Sequence, residues 1–273
     1  MFIKQNIGIV SLGLIGGSLL KALNGKAENI YAVTRNPETI KKAKQYTDHV
    51  SDDYSILKNC DIVFVCSPMS ETIKVLDALE CILPPTTIVA DVCSLKAFVS
   101  QKKRPYIFIG THPMAGTENS GFDASFAELF VQAKWILTPQ NIENGYIEKL
   151  VSVIEQTGAL PMFMTSDEHD KAAALISHMP MLVSQALVKT AKENANAIKI
   201  ASSGFRDMTR LAMSNTTMAN DMITLNRENI IAAYELLTKN LKELLGESYL
   251  DEIEAISEFR RKMYNKEGKN ISN

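Results

Sequence analysis

Short apolar runs recur along the first half of the chain: "NIGIV" at residues 6–10, "NIYAV" at 29–33, "DIVFVC" at 61–66, "TTIVADV" at 86–92 and "YIFIGT" at 106–111. Each is nearly unbroken and rich in β-branched residues, the pattern of strands covered on both faces in a parallel sheet. Between the first two, residues 14–24 carry helical spacing, and Pro37 to Lys44 reads as a second helix with a proline in its first turn. "KWILT" at 134–138 and "LPMFMT" at 160–165 supply late strands. The pattern predicts an α/β fold over residues 1–165, with a doubly wound, mostly parallel sheet.

After Thr165 the period changes. "TSDE" has the capping-box form, with Glu168 three residues after Thr165. Leu175, Ile176, Met179, Leu182, Val183, Ala186 and Leu187 then step by three and four. A second stripe runs through Ile230, Ile231, Tyr234, Leu237, Leu241 and Leu244, and "SYLDEIEAISEF" supplies a third helix. Residues 166–273 are therefore expected to form an all-helical domain, with a frayed polar end from about Asn265. Its apolar stripes are wider than so few helices can bury among themselves, which predicts a homodimer built through residues beyond about 170.

Composition narrows the partners. With 46% hydrophobic and 22% charged residues the chain is an ordinary globular one, and a net charge of −2 offers nucleic acid or an anionic membrane no basic surface. Cys60, Cys66, Cys81 and Cys93 have no C-x-x-C spacing, and three of them lie in or beside the strand-like runs, so reduced thiols in a cytoplasmic protein are expected. Gly13, Gly16 and Gly17 interrupt the early apolar run that a secretion signal would need, and no run approaches the ~20 apolar residues of a membrane span. A soluble chain that stays in the cytoplasm is expected.

The candidate chemistry starts at "IGIVSLGLIGGSLL", residues 7–20. A glycine turn between a strand and a helix, followed by a second strand, is the setting of the G-x-G-x-x-G dinucleotide fingerprint, so the sheet is expected to be of Rossmann type. The three slots hold Ser11, Gly13 and Gly16. Serine fits the first slot if its backbone angles stay ordinary. The carboxylate that would bind a ribose 2′-hydroxyl is absent, and Thr34 followed by Arg35 stands there instead. A neutral hydroxyl beside a guanidinium admits NADP as well as NAD. Glycines kept only for packing, and an arginine that is merely solvated, are the competing readings.

His112 leaves the end of a strand in "HPMAGTE", where a loop histidine can serve structure or catalysis. Read whole, this stretch resembles the catalytic segment of the prephenate and arogenate dehydrogenases. The resemblance continues through "GLIGGSLL", "DVCSLK" at 91–96, "HPMAGTENSGF" at 112–122, "EHD" at 168–170, "SHMP" at 177–180 and "SSGFRDMTRLA" at 202–212. It implies an NAD(P)-dependent oxidative decarboxylation on the route to tyrosine, in which ring C4 gives up hydride, the ring carboxylate leaves as carbon dioxide, and aromatisation drives the step.

On this resemblance His112 is the base that takes the 4-hydroxyl proton, Ser94 hydrogen-bonds it, and Arg210 binds a substrate carboxylate. His178, Gly116, Thr117, Glu118 and Asp207 surround the substrate. Gly13, Leu14, Ile15, Gly16, Thr34, Arg35, Ser67 and Pro68 hold the cofactor. Met181 stands where many prephenate-using members have a second histidine, which points towards arogenate. Pro180 is expected to bend its helix, His169 reads as structural, and the four histidines have no metal-ligand spacing. Two alternatives differ in class. A β-hydroxyacid dehydrogenase would need a catalytic lysine in a glycine-rich helix start after Thr165, which is missing, and a non-catalytic nucleotide sensor would not need His112, Ser94, His178 and Arg210 together.

Overall fold

The computed structural model describes residues 3–117, 119–246 and 249–264. Its sheet comprises β1 (Ile3–Val10), β2 (Ala27–Val33), β3 (His49–Ser51), β4 (Ile62–Val65), β5 (Ile88–Asp91), β6 (Ile107–Pro113), β7 (Lys134–Thr138) and β8 (Leu160–Phe163). The spatial order is β3-β2-β1-β4-β5-β6-β7-β8, parallel throughout except where β7 runs against β6. This is the doubly wound order, whose direction reverses between β1 and β4. Alternate residues feed opposite faces: Ile62 and Phe64 enter one apolar cluster, Val63 and Val65 the other. Helices on both faces explain why these strands read as unbroken apolar runs.

α1 (Leu14–Leu23) and α2 (Pro37–Ala43) lie where the spacing predicts them. Asn36 caps α2, its side chain accepting from the N–H groups of Glu38 and Thr39. α3 (Met69–Leu79) and α4 (Asn144–Gln156) complete the layers.

The glycine turn departs from expectation at its first slot. Ser11 has φ +69°, the left-handed region, so its angles are not ordinary, and a serine there costs about 1–2 kcal/mol against glycine. A neighbouring contact accounts for the backbone path: a Cβ on Gly16 would lie 2.0 Å from the Ser11 carbonyl oxygen. The helix thus packs backbone to backbone against the turn.

Beyond β8 come α5 (Ser166–Ala173), α6 (Met179–Ala191), α7 (Ala195–Lys199), α8 (Ser203–Met208) and α9 (Thr216–Leu225). The capping box at Thr165 and Glu168 is formed in both directions. Between α5 and α6, Ala174–His178 forms a π turn in which the Met179 N–H donates to the Ala174 carbonyl, five residues back. Pro180 has no N–H to give to the α-helical ladder, and the helix widens just before it rather than simply bending.

Contacts divide the chain into a unit Met1–Arg227 and a unit Glu228–Asn273. The second holds most of α10 (Arg227–Glu243) and all of α11 (Tyr249–Met263). Tyr234, Leu241, Leu250, Ile256 and Phe259 are exposed on these helices. The segment from Asn265 lies outside the described residues. Among the described residues no helix is long and apolar enough to cross a membrane.

Candidate active site

The carboxyl ends of β1, β2, β4, β5 and β6 bring Ser11, Thr34, Ser67, Ser94 and His112 to one edge of the sheet. A cleft of about 510 Å³ opens there, lined by the turn Ser11–Gly13, by Thr34 and Arg35, and by Lys42 facing Asp123. Lys42 and Asp123 pair across it at 2.7 Å. Gly13 begins α1 with no side-chain cap, and the helix has no acidic residue in its first turn, so its N–H groups are available to an anion. A Cβ at Gly13 would find open space, whereas one at Gly16 would collide, so the two glycines serve different needs. Both fit a dinucleotide. Arg35 is exposed and has no ion pair among the described residues.

The histidine follows Thr111, whose backbone is bound to a buried ion pair. Asp91, at the end of β5, and Lys96 are fully buried and salt-bridged to each other. The ammonium also donates to the Thr111 carbonyl at 2.5 Å, and the Thr111 N–H donates to the other Asp91 oxygen at 3.0 Å. These bonds tie the ends of β5 and β6 together directly before His112. Removing one partner would leave a buried charge uncompensated, so this frame is stiff.

From His112 a chain of hydrogen bonds runs into α5. His112 Nδ1 lies 2.9 Å from His169 Nε2, His169 Nδ1 lies 2.7 Å from Asp170 Oδ1, and the Asp170 carboxylate also accepts from the Lys96 and Ala97 N–H groups, each at 2.8 Å. A carboxylate accepts only, so the His169 proton sits on Nδ1 and its Nε2 is a lone pair. His112 must then donate from Nδ1, which leaves Nε2 as its free base. Burial, followed by the nearby charge sites of His169, Lys96 and His178, holds the His112 pKa well below the ordinary histidine value. The ring is neutral at pH 7 and ready to accept a proton.

His178 ends the π turn, completely buried, and burial pushes its pKa down to about 4. Its Nδ1 lies 3.1 Å from Asn226 Nδ2. Met181 packs among Met69, Cys93, Leu95 and Val99 in a third apolar cluster and offers no polar atom.

The remaining residues are placed less tightly. The Ser94 hydroxyl donates to Met69 Sδ at 3.4 Å, while the His112 nitrogen nearest a partner is taken by His169. Ser67 is buried with its hydroxyl 3.0 Å from that of Thr72, and Pro68 begins α3. Leu14 and Ile15 form the first turn of α1. Gly116 and Thr117 are exposed in the loop after β6, and Glu118 lies outside the described residues. Asp207 pairs with Arg206 at 3.3 Å on α8, whereas Arg210 opens a separate 3₁₀ turn, exposed and without an ion pair among the described residues. The two arginines therefore do not share a helix face. His169, read from sequence as structural, is the partner of His112. Asp170 and Asn226 were not singled out at all. "EHD" held the only available signal: an acidic residue beside a histidine in the first turns of a helix.

A glycine turn at the switch point of a doubly wound sheet, with a neutral histidine at the end of a nearby strand, defines a dinucleotide-dependent dehydrogenase. Residues 17–162 match the nucleotide-binding domain of prephenate dehydrogenase, and residues 165–263 match its dimerization domain, so the chain belongs to the prephenate dehydrogenase family. It is 29% identical to the prephenate dehydrogenase of Bacillus subtilis over 94% of this chain and 73% of that protein. The Synechocystis arogenate dehydrogenase structure is 32% identical with a TM-score of 0.81, covering 93% of this chain and 97% of that one. The Aquifex aeolicus prephenate dehydrogenase, solved with hydroxyphenyl propionate and NAD+, is 31% identical with a TM-score of 0.85, covering 94% and 97%.

Proposed function

We propose that this protein oxidises prephenate, arogenate or both on the route to tyrosine, losing the ring carboxylate as carbon dioxide, and that it uses NADP+ at least as well as NAD+. The observation that carries the reading is the His112–His169–Asp170 chain, which presents a neutral His112 with its free lone pair on Nε2. Gly13, Gly16 and the open N-terminus of α1 would hold an oxidised nicotinamide dinucleotide, which would supply the acceptor for the hydride leaving ring C4. His112 takes the proton of the 4-hydroxyl, so that the developing carbonyl forms without a charged oxygen. Arg210, exposed and unpaired among the described residues, is suited to a substrate carboxylate through its planar fork. Ser94, Gly116, Thr117 and Asp207 complete the substrate side on this reading. Met181 lacks a donor, which favours the amino side chain of arogenate over the keto acid of prephenate.

Thr34 and the unpaired Arg35 support NADP+. The apolar faces of α10 and α11, in a region matched by a dimerization domain, support a homodimer assembled through the helical residues 166–273, with residues 1–165 binding the nucleotide. Four free cysteines fit the cytoplasm. Absorbance of reduced cofactor, followed with each substrate and each cofactor, tests the reading. Turnover of either substrate is expected, and failure of both to react would overturn it.

A further inference from the structure

Asn226 stands at the C-terminal cap of α9, where its backbone N–H donates to the Met222 carbonyl, and the residue is buried. Its Nδ2 lies 2.8 Å from the Asp170 carbonyl oxygen and 3.1 Å from His178 Nδ1. A backbone carbonyl can only accept, so the atom facing it is the NH2 group and not the amide oxygen. One hydrogen goes to that carbonyl. The other points at His178 Nδ1, which must present a lone pair. The remaining ring nitrogen, Nε2, then carries the proton of the neutral ring, and this buried N–H has no partner among the described residues.

An unanswered buried donor costs folding free energy, and a native fold keeps one where something else will meet it. Nδ1 faces Asn226, so Nε2 is turned to the opposite side of the ring. Asp170 joins the two rings in one hydrogen-bonded cluster, since its carboxylate accepts from His169, the partner of His112, and its carbonyl accepts from Asn226, the partner of His178. From this we infer that Asn226 is a positioning residue, locking His178 as an Nε2–H donor for an acceptor oxygen of the bound substrate. This rests on the function proposed above. Asp170 serves both histidines: its carboxylate fixes His112 as an acceptor by way of His169, and its carbonyl fixes His178 as a donor by way of Asn226.

The test is the ring tautomer together with binding. In ¹⁵N-labelled protein, long-range correlations of the histidine rings, with His178 assigned from the His178→Gln spectrum, are expected to place the His178 proton on Nε2. Saturating prephenate or arogenate should shift that Nε2 signal. Asn226→Asp replaces the donor by an acceptor, so the proton should move to Nδ1. KM for the substrate that turns over, prephenate or arogenate, should rise about tenfold or more, equivalent to 1.4 kcal/mol, with kcat changed less than about threefold. A simple packing role would leave the tautomer in place. A wild-type proton on Nδ1, an Nε2 signal indifferent to both saturating prephenate and saturating arogenate, or an unchanged KM in the folded Asp variant overturns the inference. The spectra need no turnover, so they decide the matter even if the enzyme oxidises neither substrate.

Discussion

The nucleotide turn and the histidine cluster share one edge of the sheet and are made from opposite materials. At the turn the working groups are backbone N–H groups and missing side chains: Gly13 leaves space, Gly16 permits contact, and Arg35 stands in solvent. In the cluster the working groups are side chains from distant elements, mostly buried and bound to one another, so that each proton has one place to be. A site made of backbone tolerates exchange of the side chains around it. A site made of coupled side chains should fail at almost any member.

The hardest test of this contrast is the base. His112→Asn keeps a hydrogen-bonding side chain but removes the proton acceptor, and kcat should fall roughly 10²- to 10⁴-fold with cofactor affinity nearly unchanged. In the parent, because burial holds the His112 pKa well below the ordinary value, the acid limb of kcat/KM should lie below pH 6.5. Steady-state rates across pH decide both points. A limb at or above 6.5, or a loss under tenfold, breaks the assignment.

How much of this was legible in the sequence follows the same division. The turn is local: strand, glycines, helix and second strand occupy about thirty residues, and spacing alone predicts them. The strands were legible because their apolar runs record burial on both faces. The partnership of His112 with His169 joins residues 57 apart through the packing of α5 against the end of β6, and no spacing encodes it. His169 therefore read as an ordinary residue in the first turns of a helix. The left-handed angle of Ser11 was also hidden, because it follows from the approach of Gly16 and not from serine's own preference.

A second test concerns the cost of keeping His178 neutral. Its folded pKa of about 4 lies below the unfolded value, so the unfolded chain binds more protons as pH falls through this window. Stability is retained above about 6.5 and is lost progressively as pH drops towards 4, by on the order of 3 kcal/mol from this group. Urea unfolding of the parent and of His178→Gln at several pH values should therefore converge with acidification from an initial difference. A constant gap between the two curves would remove His178 as the cause.

The smallest effect belongs to the exposed side of the comparison. Arg35→Ala should raise KM for NADP+ about tenfold, the loss of one hydrogen bond to a charged group, and leave NAD+ nearly untouched. Thr34→Asp should turn the preference towards NAD+. Measuring kcat/KM for both cofactors separates a phosphate contact from a general disturbance of the turn, since the latter would harm the two equally.

The π turn at Ala174–His178 has a consequence of arithmetic. A residue added to one helical turn advances everything after it by about 100° relative to an unbroken α-helix. His169 and Asp170 precede that step, and Met181 and Ser184, both buried, follow it. Deleting a single residue from the turn would let it close as an ordinary α-helical turn and leave Met181 and Ser184 in their seats whatever residue was removed, whereas straightening the turn without a deletion would rotate α6 by about 100°. The angular setting of α6 is thus stored in a count of residues and not in the chemistry of any one of them.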